Sequence, residues 1–269
     1  MSNSKKKINN LPVLKKNLSN LISVIIPYHK KIHFIDKCIE SVLNQTFQNF
    51  EIILIYDDNE IHDLEHIKNI AHKDSRIKLI INKKKIGAGL SRNIGIGFAK
   101  GSLIAFIDAD DVWKKDKLEI QVEFMKKNNS LFCHTSYRII DKNNFIKGYR
   151  KARDFNRVKD LLKSCDIGLS TVILYKKILS DELQFPNLKS KEDFVLWLKI
   201  LDRGINISSM DTPLTSWRKL DDALSSSKLQ KLFDGYHVYR KYMNFNSIKS
   251  FIYLVILSFN YALKEFKNK

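Results

Sequence analysis

Ser102-Leu-Ile-Ala-Phe-Ile-Asp-Ala-Asp-Asp111 runs a short apolar segment straight into three carboxylates, Asp108, Asp110 and Asp111. The apolar part reads as a buried strand. The acids at its end need a separate reason. Carboxylates this close repel one another at neutral pH, and each is stabilised by protonation or by pairing. A hard divalent cation, Mg2+ or Mn2+, removes the conflict by taking oxygen ligands, and it commonly brings phosphate oxygens with it. Asp-x-Asp at a strand end therefore reads as a seat for a metal–diphosphate. The plainer explanation is a cap for the helix expected to start near Trp113, but a cap uses one Asp and not three.

Upstream, the same kind of segment recurs. Ile22-Ser-Val-Ile-Ile-Pro-Tyr28 is a short apolar run closed by Pro27, and Phe50-Glu-Ile-Ile-Leu-Ile-Tyr56 is a second, ending at Asp57-Asp58-Asn59. Ile77-Lys-Leu-Ile-Ile81 is a third. Between them, Phe34, Ile35, Cys38, Ile39, Val42 and Leu43 recur at helical spacing, predicting an amphipathic helix over about 33–46. A polar helix follows at about 61–73. Gly87-Ala-Gly-Leu-Ser-Arg-Asn93 opens another that runs to Lys100 and stops at Gly101. Strands alternating with helices imply a largely parallel α/β sheet. Ligands of such sheets collect outside the carboxyl ends of the strands, so Tyr28, Asp58 and the 108–111 acids are expected to be neighbours in space. Beyond residue 130 the pattern changes: strands at 132–140 and 170–175, a short helix at 157–164, and short strands at 205–209 and 213–218. Lys191-Glu-Asp-Phe-Val-Leu-Trp-Leu-Lys-Ile-Leu201 is an amphipathic helix that opens on an acidic pair.

With 269 residues, the chain is one large domain or one with an appendage. The division read here is a basic segment 1–20, a domain 21–227, and basic amphipathic helices over 228–269. The three cysteines form no Cys-x-x-Cys, which fits a reducing compartment rather than a disulfide framework. No signal-peptide core and no spanning apolar run is present, so a cytoplasmic location is expected. The net charge of +18 is the outlying bulk property. It is spread along the chain without an Arg-rich stripe or nucleic-acid module, which points to an anionic membrane or substrate and away from nucleic acid. Residues 228–269 carry eight Lys or Arg against two acids, and 251–263 are apolar except for Ser258 and Asn260. That length suits a helix lying in a membrane interface, with Asn260, Lys264 and Lys267 as its polar face. Packing on the domain, or on a second subunit in a homodimer, is the alternative.

Val24-Ile-Ile-Pro-Tyr28, Ser41-Val-Leu-Asn-Gln-Thr-Phe47, Glu51-Ile-Ile-Leu-Ile-Tyr-Asp-Asp-Asn59, Ser91-Arg-Asn-Ile-Gly95, Ala105-Phe-Ile-Asp-Ala-Asp-Asp111 and Glu192-Asp-Phe-Val-Leu-Trp197 follow one another in this order. Over about residues 20–218 the chain closely resembles the family 2 glycosyltransferases, inverting enzymes abundant in bacterial surface-polysaccharide synthesis. The resemblance implies an α/β GT-A-type fold: a mostly parallel central sheet flanked by helices, here with a C-terminal helical extension. It also implies a nucleotide-diphosphosugar donor, usually a UDP-hexose or UDP-N-acetylhexosamine, and Mn2+ or Mg2+. The acceptor implied is a hydroxyl of a growing lipopolysaccharide, O-antigen or capsule glycan, free or lipid-linked. The enzyme would work on the inner face of the cytoplasmic membrane.

Residue by residue, Tyr28 offers a flat ring for uracil and Asp58 an acceptor for its imide N–H. Pro27 and Ala109 line the nucleotide. Arg92 and Asn93, in the first turn of a glycine-opened helix, would hold the base or the diphosphate. Asp110 would hold the ribose and, with Asp111, the metal, while Asp108 supports them. Asp193 matches the base that deprotonates the acceptor hydroxyl, with Glu192 beside it. Arg218, after Trp217, would close over the diphosphate. The chain departs from the pattern at Asn59-Glu60, at Lys115, and after Arg218, where Lys219, Leu220 and Asp221 stand in place of a His.

A dinucleotide-binding dehydrogenase would need Gly-x-Gly-x-x-Gly after the first strand, where Pro27-Tyr-His-Lys-Lys stands. A sugar-nucleotide pyrophosphorylase would also want a glycine-rich loop there. A catalytically inactive sugar-nucleotide-binding subunit would be expected to have lost one of the acids, and all are present.

Overall fold

The computed structural model describes residues 21–220 and 228–267, so the basic segment 1–20 and the domain boundary at 227 lie outside the described residues. Four apolar runs become parallel neighbours: β1 (Ile22–Tyr28), β2 (Phe50–Tyr56), β3 (Ile77–Ile81) and β4 (Leu103–Phe106). The helices α1 (Ile32–Leu43), α2 (Ile61–His72) and α3 (Ala88–Phe98) connect them. β1 lies between β2 and β4, with Ile22 level with Phe50 and with Leu103. These central strands are apolar on both faces because both faces are covered. Side chains alternate between two cores. Ile25, Ile53, Ile55, Ile104 and Phe106 face one layer, while Val24, Ile26, Tyr28, Ile52, Leu54 and Ala105 face the other.

The second half adds β5 (Val112–Trp113), α4 (Lys117–Lys127), β6 (Phe132–Ile140), β7 (Ile146–Arg150) and the short α5 (Val158–Leu161). A 3-10 turn (Leu169–Thr171) leads into β8 (Ile173–Tyr175), followed by α6 (Glu192–Asp202) and β9 (Ser208–Arg218). The sheet order is β3-β2-β1-β4-β8-β6-β9-β5, with β7 on β6. The mostly parallel description holds for the first half only. β8 joins both β4 and β6 antiparallel, and β5–β9 and β6–β7 are antiparallel too, so the whole sheet is mixed.

Two local expectations change. The strands expected on either side of Pro213 are one strand, β9, whose pairing with β6 shifts register between Thr135 and Tyr137. Proline is tolerated at such an irregularity. The helix expected near Trp113 starts at Lys117, and Trp113 instead pairs with Thr215 in the sheet. Asp110 and Asp111 therefore do not cap it.

The C-terminal segment forms α7 (Lys228–His237), a π-helical turn (Val238–Tyr242) and α8 (Ser247–Lys267). Val238, Tyr239 and Leu257 are buried in the same core as α6, so the extension is built into the domain. The polar face expected of α8 is only partly open to solvent, because Asn260 bonds to the Lys163 carbonyl and Lys264 to Asp166. The Lys267 side chain lies outside those described. Among the described residues, no helix is long and apolar enough to cross a membrane.

Candidate active site

The carboxyl ends of β1, β2 and β4 bring the first two acid groups to one mouth. Asp57 turns inward, where it accepts the backbone N–H groups of Ile86 (2.9 Å) and Gly87 (2.7 Å) and the Asn82 amide (2.8 Å). It thereby shapes the loop entering α3, where Gly87 has φ +92°, a conformation that favours glycine. Asp58 accepts the N–H groups of Lys30 and Asn59, both at 2.8 Å, and keeps further lone pairs for a ligand. Lys30 is held at φ 51° beside it.

The ring next to Asp58 is His29, not Tyr28. Tyr28 is wholly buried, stacked on Tyr56 with centroids 5.5 Å apart, and its hydroxyl donates to Asp63 at 2.6 Å. Burial, then Asp63, pushes the Tyr28 phenol up. No free face is left for a base. The physical reason is strand alternation: Tyr28 is the last core-facing residue of β1, and the next residue emerges at the mouth. His29 Nδ1 stands 3.1 Å from Asp58, and the Lys85 ammonium donates to Nε2 at 2.8 Å. Burial lowers the His29 pKa against the opposing pull of Asp58, and the Lys85 ammonium, which can only donate, needs Nε2 as its acceptor. Ala109 is buried in the core, and Pro27 is partly exposed.

Arg92 joins the two chemical halves of the site. Its guanidinium donates to Asp108 at the end of β4 and to Glu192 at the start of α6, each at 2.7 Å. Burial works against the Arg92 cation, but the two carboxylates outweigh it and hold its pKa above the ordinary value. Gly89 permits the approach, because a Cβ there would lie 2.9 Å from Glu192 Cγ and 3.2 Å from the Pro186 carbonyl. Asn93 takes a structural part instead of facing a nucleotide. Its amide donates to the Phe185 carbonyl (2.8 Å) and accepts the Phe185 N–H (3.0 Å), pinning the loop before α6.

Asp193 lies in the first turn of α6, just after Lys191 at φ 65°. One oxygen accepts the Phe194 N–H at 2.7 Å. Burial raises its pKa to about 7, with the Glu192 carboxylate adding and Arg92 opposing. A carboxylate poised near neutrality suits proton abstraction.

The 108–111 acids divide by partner. Asp110 is ion-paired with Lys31 at 2.7 Å. Asp111 is fully buried: one oxygen accepts the Ser170 hydroxyl at 2.5 Å and the other the Arg218 N–H at 2.8 Å. Both its oxygens accept protein hydrogen bonds, so Asp111 does not present an open donor at the mouth as Asp108 and Asp110 do. Arg218 is likewise a clamp here, donating to the Asp110, Asp141 and Lys142 carbonyls and to the Asn144 amide oxygen. Its guanidinium also stacks 4.7 Å from the Phe34 ring centroid.

Among the described residues, no three His, Cys, Asp or Glu side chains converge to hold a metal ion. Asp108 and Asp110 do present hard oxygen donors at the mouth, each now neutralised by a protein cation. One or two carboxylates completed by diphosphate oxygens is the arrangement Mg2+ accepts. The donor set fits, with Asp110 and Asp108 as the protein's share. Sequence reasoning missed His29, Lys31 and Ser170. Alternation in β1 could have found His29, but nothing local marks the other two.

The family model described as Glycosyl transferase family 2 matches residues 23–181. The chain belongs to this family. This family 2 glycosyltransferase is 37% identical over 213 residues to the UDP-Glc:alpha-D-GlcNAc-diphosphoundecaprenol beta-1,3-glucosyltransferase WfgD of Escherichia coli, covering 79% of this chain and 82% of the relative. It is 29% identical over 235 residues to the putative teichuronic acid biosynthesis glycosyltransferase TuaG of Bacillus subtilis, covering 87% and 93%. Its fold matches that of S. aureus TarS 1–349 in complex with UDP-GlcNAc, with a TM-score of 0.69, 21% identity, and 87% and 70% of the two chains covered. The mannosyltransferase PcManGT from Pyrobaculum calidifontis, in complex with GDP-Man and Mn2+, superposes with a TM-score of 0.66 at 12% identity, covering 89% and 70%. The GT-A-type fold implied by the motifs is thus the fold of this glycosyltransferase.

Proposed function

We propose that this enzyme transfers a hexosyl or N-acetylhexosaminyl unit, with inversion, from a UDP-sugar to a hydroxyl of a lipid-diphosphate-linked glycan in bacterial surface-polysaccharide assembly. The relatives' activities and the site chemistry support the reading together. The observation that carries it is the Arg92 bridge, which ties the donor-side acid Asp108 to the pair Glu192-Asp193.

Asp58 accepts the uracil imide N–H, with the His29 ring beside it. Asp110 and Asp108 face the diphosphate and would hold a divalent cation, which neutralises the leaving diphosphate when bound. Asp193 takes the proton of the acceptor hydroxyl as that oxygen attacks the anomeric carbon from the face opposite the nucleotide. The new C–O bond forms as the bond to the diphosphate oxygen breaks, and UDP carries away the electron pair. Arg92 holds Glu192 and Asp108, and through Glu192 fixes the start of α6 that carries Asp193. A net charge of +18 favours work on the anionic inner face of the cytoplasmic membrane, where such acceptors are presented.

The test is a screen of UDP-, GDP- and dTDP-sugars with Mn2+, scoring donor hydrolysis and transfer to a GlcNAc-diphospho-lipid. Turnover confined to UDP-sugars, with an inverted product linkage, is the expected result. Absence of turnover with every donor, despite UDP binding, would instead identify an inactive binding subunit.

A further inference from the structure

Asn260 and Lys264, the half-buried polar residues of α8, bond to the domain, and what they grip is a segment that leads to the acids of the active site. Asn260 donates to the Lys163 carbonyl at 2.8 Å, and the Lys264 ammonium donates to Ser164 Oγ and Asp166 Oδ1. Tyr239, buried just before α8, donates its hydroxyl to the Leu162 carbonyl at 2.6 Å. Residues 162–166 are therefore held from the C-terminal helices. The same segment continues into Ser170, which donates to Asp111 at 2.5 Å and accepts the Asp108 N–H at 3.0 Å. On the acceptor side, the half-buried Cys165 thiol feels the Asp193 and Glu192 carboxylates. One short stretch thus lies between α8 and both acid centres.

The opposite stripe of α8 meets solvent. Ile248 (75% exposed), Phe251 (61%), Ile252, Val255, Phe259 (62%) and Leu263 fall at spacings of three and four residues, which puts them on one side of the helix. On α7, Leu229 and Phe233 are exposed as well. Single exposed apolar side chains are ordinary, but an apolar face spread over two helices marks an interaction site. Its charges indicate the partner. Over 229–264 the one acid, Asp234, is buried against Ser190, while Arg240, Lys241 and Lys249 are exposed. A face of apolar residues rimmed by cations complements an anionic bilayer, whereas a second copy would set cations against cations.

We propose that this α7–α8 face lies in the interface of an anionic bilayer, and that the inner stripe of α8 holds residues 162–171 against the acid centres. Membrane seat and catalytic site then share one support. The inference rests on the lipid-linked-acceptor reading above. Lys264 and Asn260 are positioning residues in this scheme, acting on the reaction through the 162–171 segment.

The experiment uses the full chain, vesicles of phosphatidylglycerol with phosphatidylcholine or of phosphatidylcholine alone, and a short water-soluble acceptor. Phe251→Asp with Phe259→Asp should weaken sedimentation with the anionic vesicles by at least about tenfold, because charged groups enter the buried face. Transfer to the soluble acceptor should stay within about twofold. Lys264→Met should do the reverse: vesicle binding kept, UDP affinity unchanged, and kcat lowered between about twofold and thirtyfold. Lys264→Arg should restore kcat. If Lys264→Met loses its cooperative melting transition, Asn260→Ala, which removes a single bond, decides the same arm. Vesicle binding untouched by the double aspartate variant would overturn the docking face, as would a dimer in light scattering that this variant dissolves. Unchanged kcat in Lys264→Met and Asn260→Ala would overturn the shared support. Failure of wild-type turnover with every donor would strike the glycosyltransfer reading alone, since vesicle binding is read without it.

Discussion

Asp193→Asn separates the catalytic and the structural cost of one carboxyl. The native Asp193 pKa is raised from 3.8 to about 7, first by burial and then by Glu192. A native pKa above the unfolded one means that the native state binds more protons between those two values. Stability is therefore lost as pH rises from about 4 to about 7, and the full penalty stands above that window. A shift of about three units at 1.36 kcal/mol each sets a ceiling of about 4 kcal/mol. Residual exposure and the shared titration with Glu192 reduce it to about 2 kcal/mol. Asn keeps the side-chain oxygen that accepts the Phe194 N–H and removes the charge. The variant should unfold in urea with about 2 kcal/mol more stability than wild type near pH 8.5, a gap that closes to about 0.5 kcal/mol near pH 4.5. In the same protein, transfer should fall by about 10²-fold or more, and the acidic limb of the kcat/KM profile near pH 7 should vanish. UDP affinity should not change. An equal stability gap at both pH values, or an acidic limb that survives the substitution, would refute the reasoning.

Gly89→Ala places a methyl 2.9 Å from Glu192 Cγ, so the start of α6 must shift; about 1–3 kcal/mol of stability and part of kcat should be lost, read by urea unfolding and steady-state rates. Asp111→Asn puts an amide N–H against Ser170 or Arg218, which both donate to this carboxylate, and should cost about 1–3 kcal/mol. An unchanged melting temperature in that variant would argue for a metal-facing Asp111 instead. Tyr28→Phe removes the hydroxyl bond to Asp63 and should cost about 1 kcal/mol with UDP affinity intact, whereas His29→Ala should weaken UDP binding in calorimetry.

The chain's local pattern determined the nucleotide half of this protein. β1, β2 and β3 stand at the ends read from their apolar runs, because strands buried on both faces leave an uninterrupted signal bounded by Pro, Asp and Asn. Acids placed directly after such strands must emerge at one edge of a parallel sheet, so the region of Asp58 and Asp108 was legible too. What each carboxylate touches was not, since that depends on partners remote in sequence. Arg92 meets Glu192 across 100 residues, and Arg218 meets Asp111 across 107. The same holds for α8. Its two stripes are visible in the sequence, but a helix with a polar and an apolar side can turn either one inward. Only the tertiary fold, by placing the Lys163 carbonyl and the Asp166 carboxylate opposite Asn260 and Lys264, decided that the polar stripe bonds to the domain and the apolar one is left facing outward.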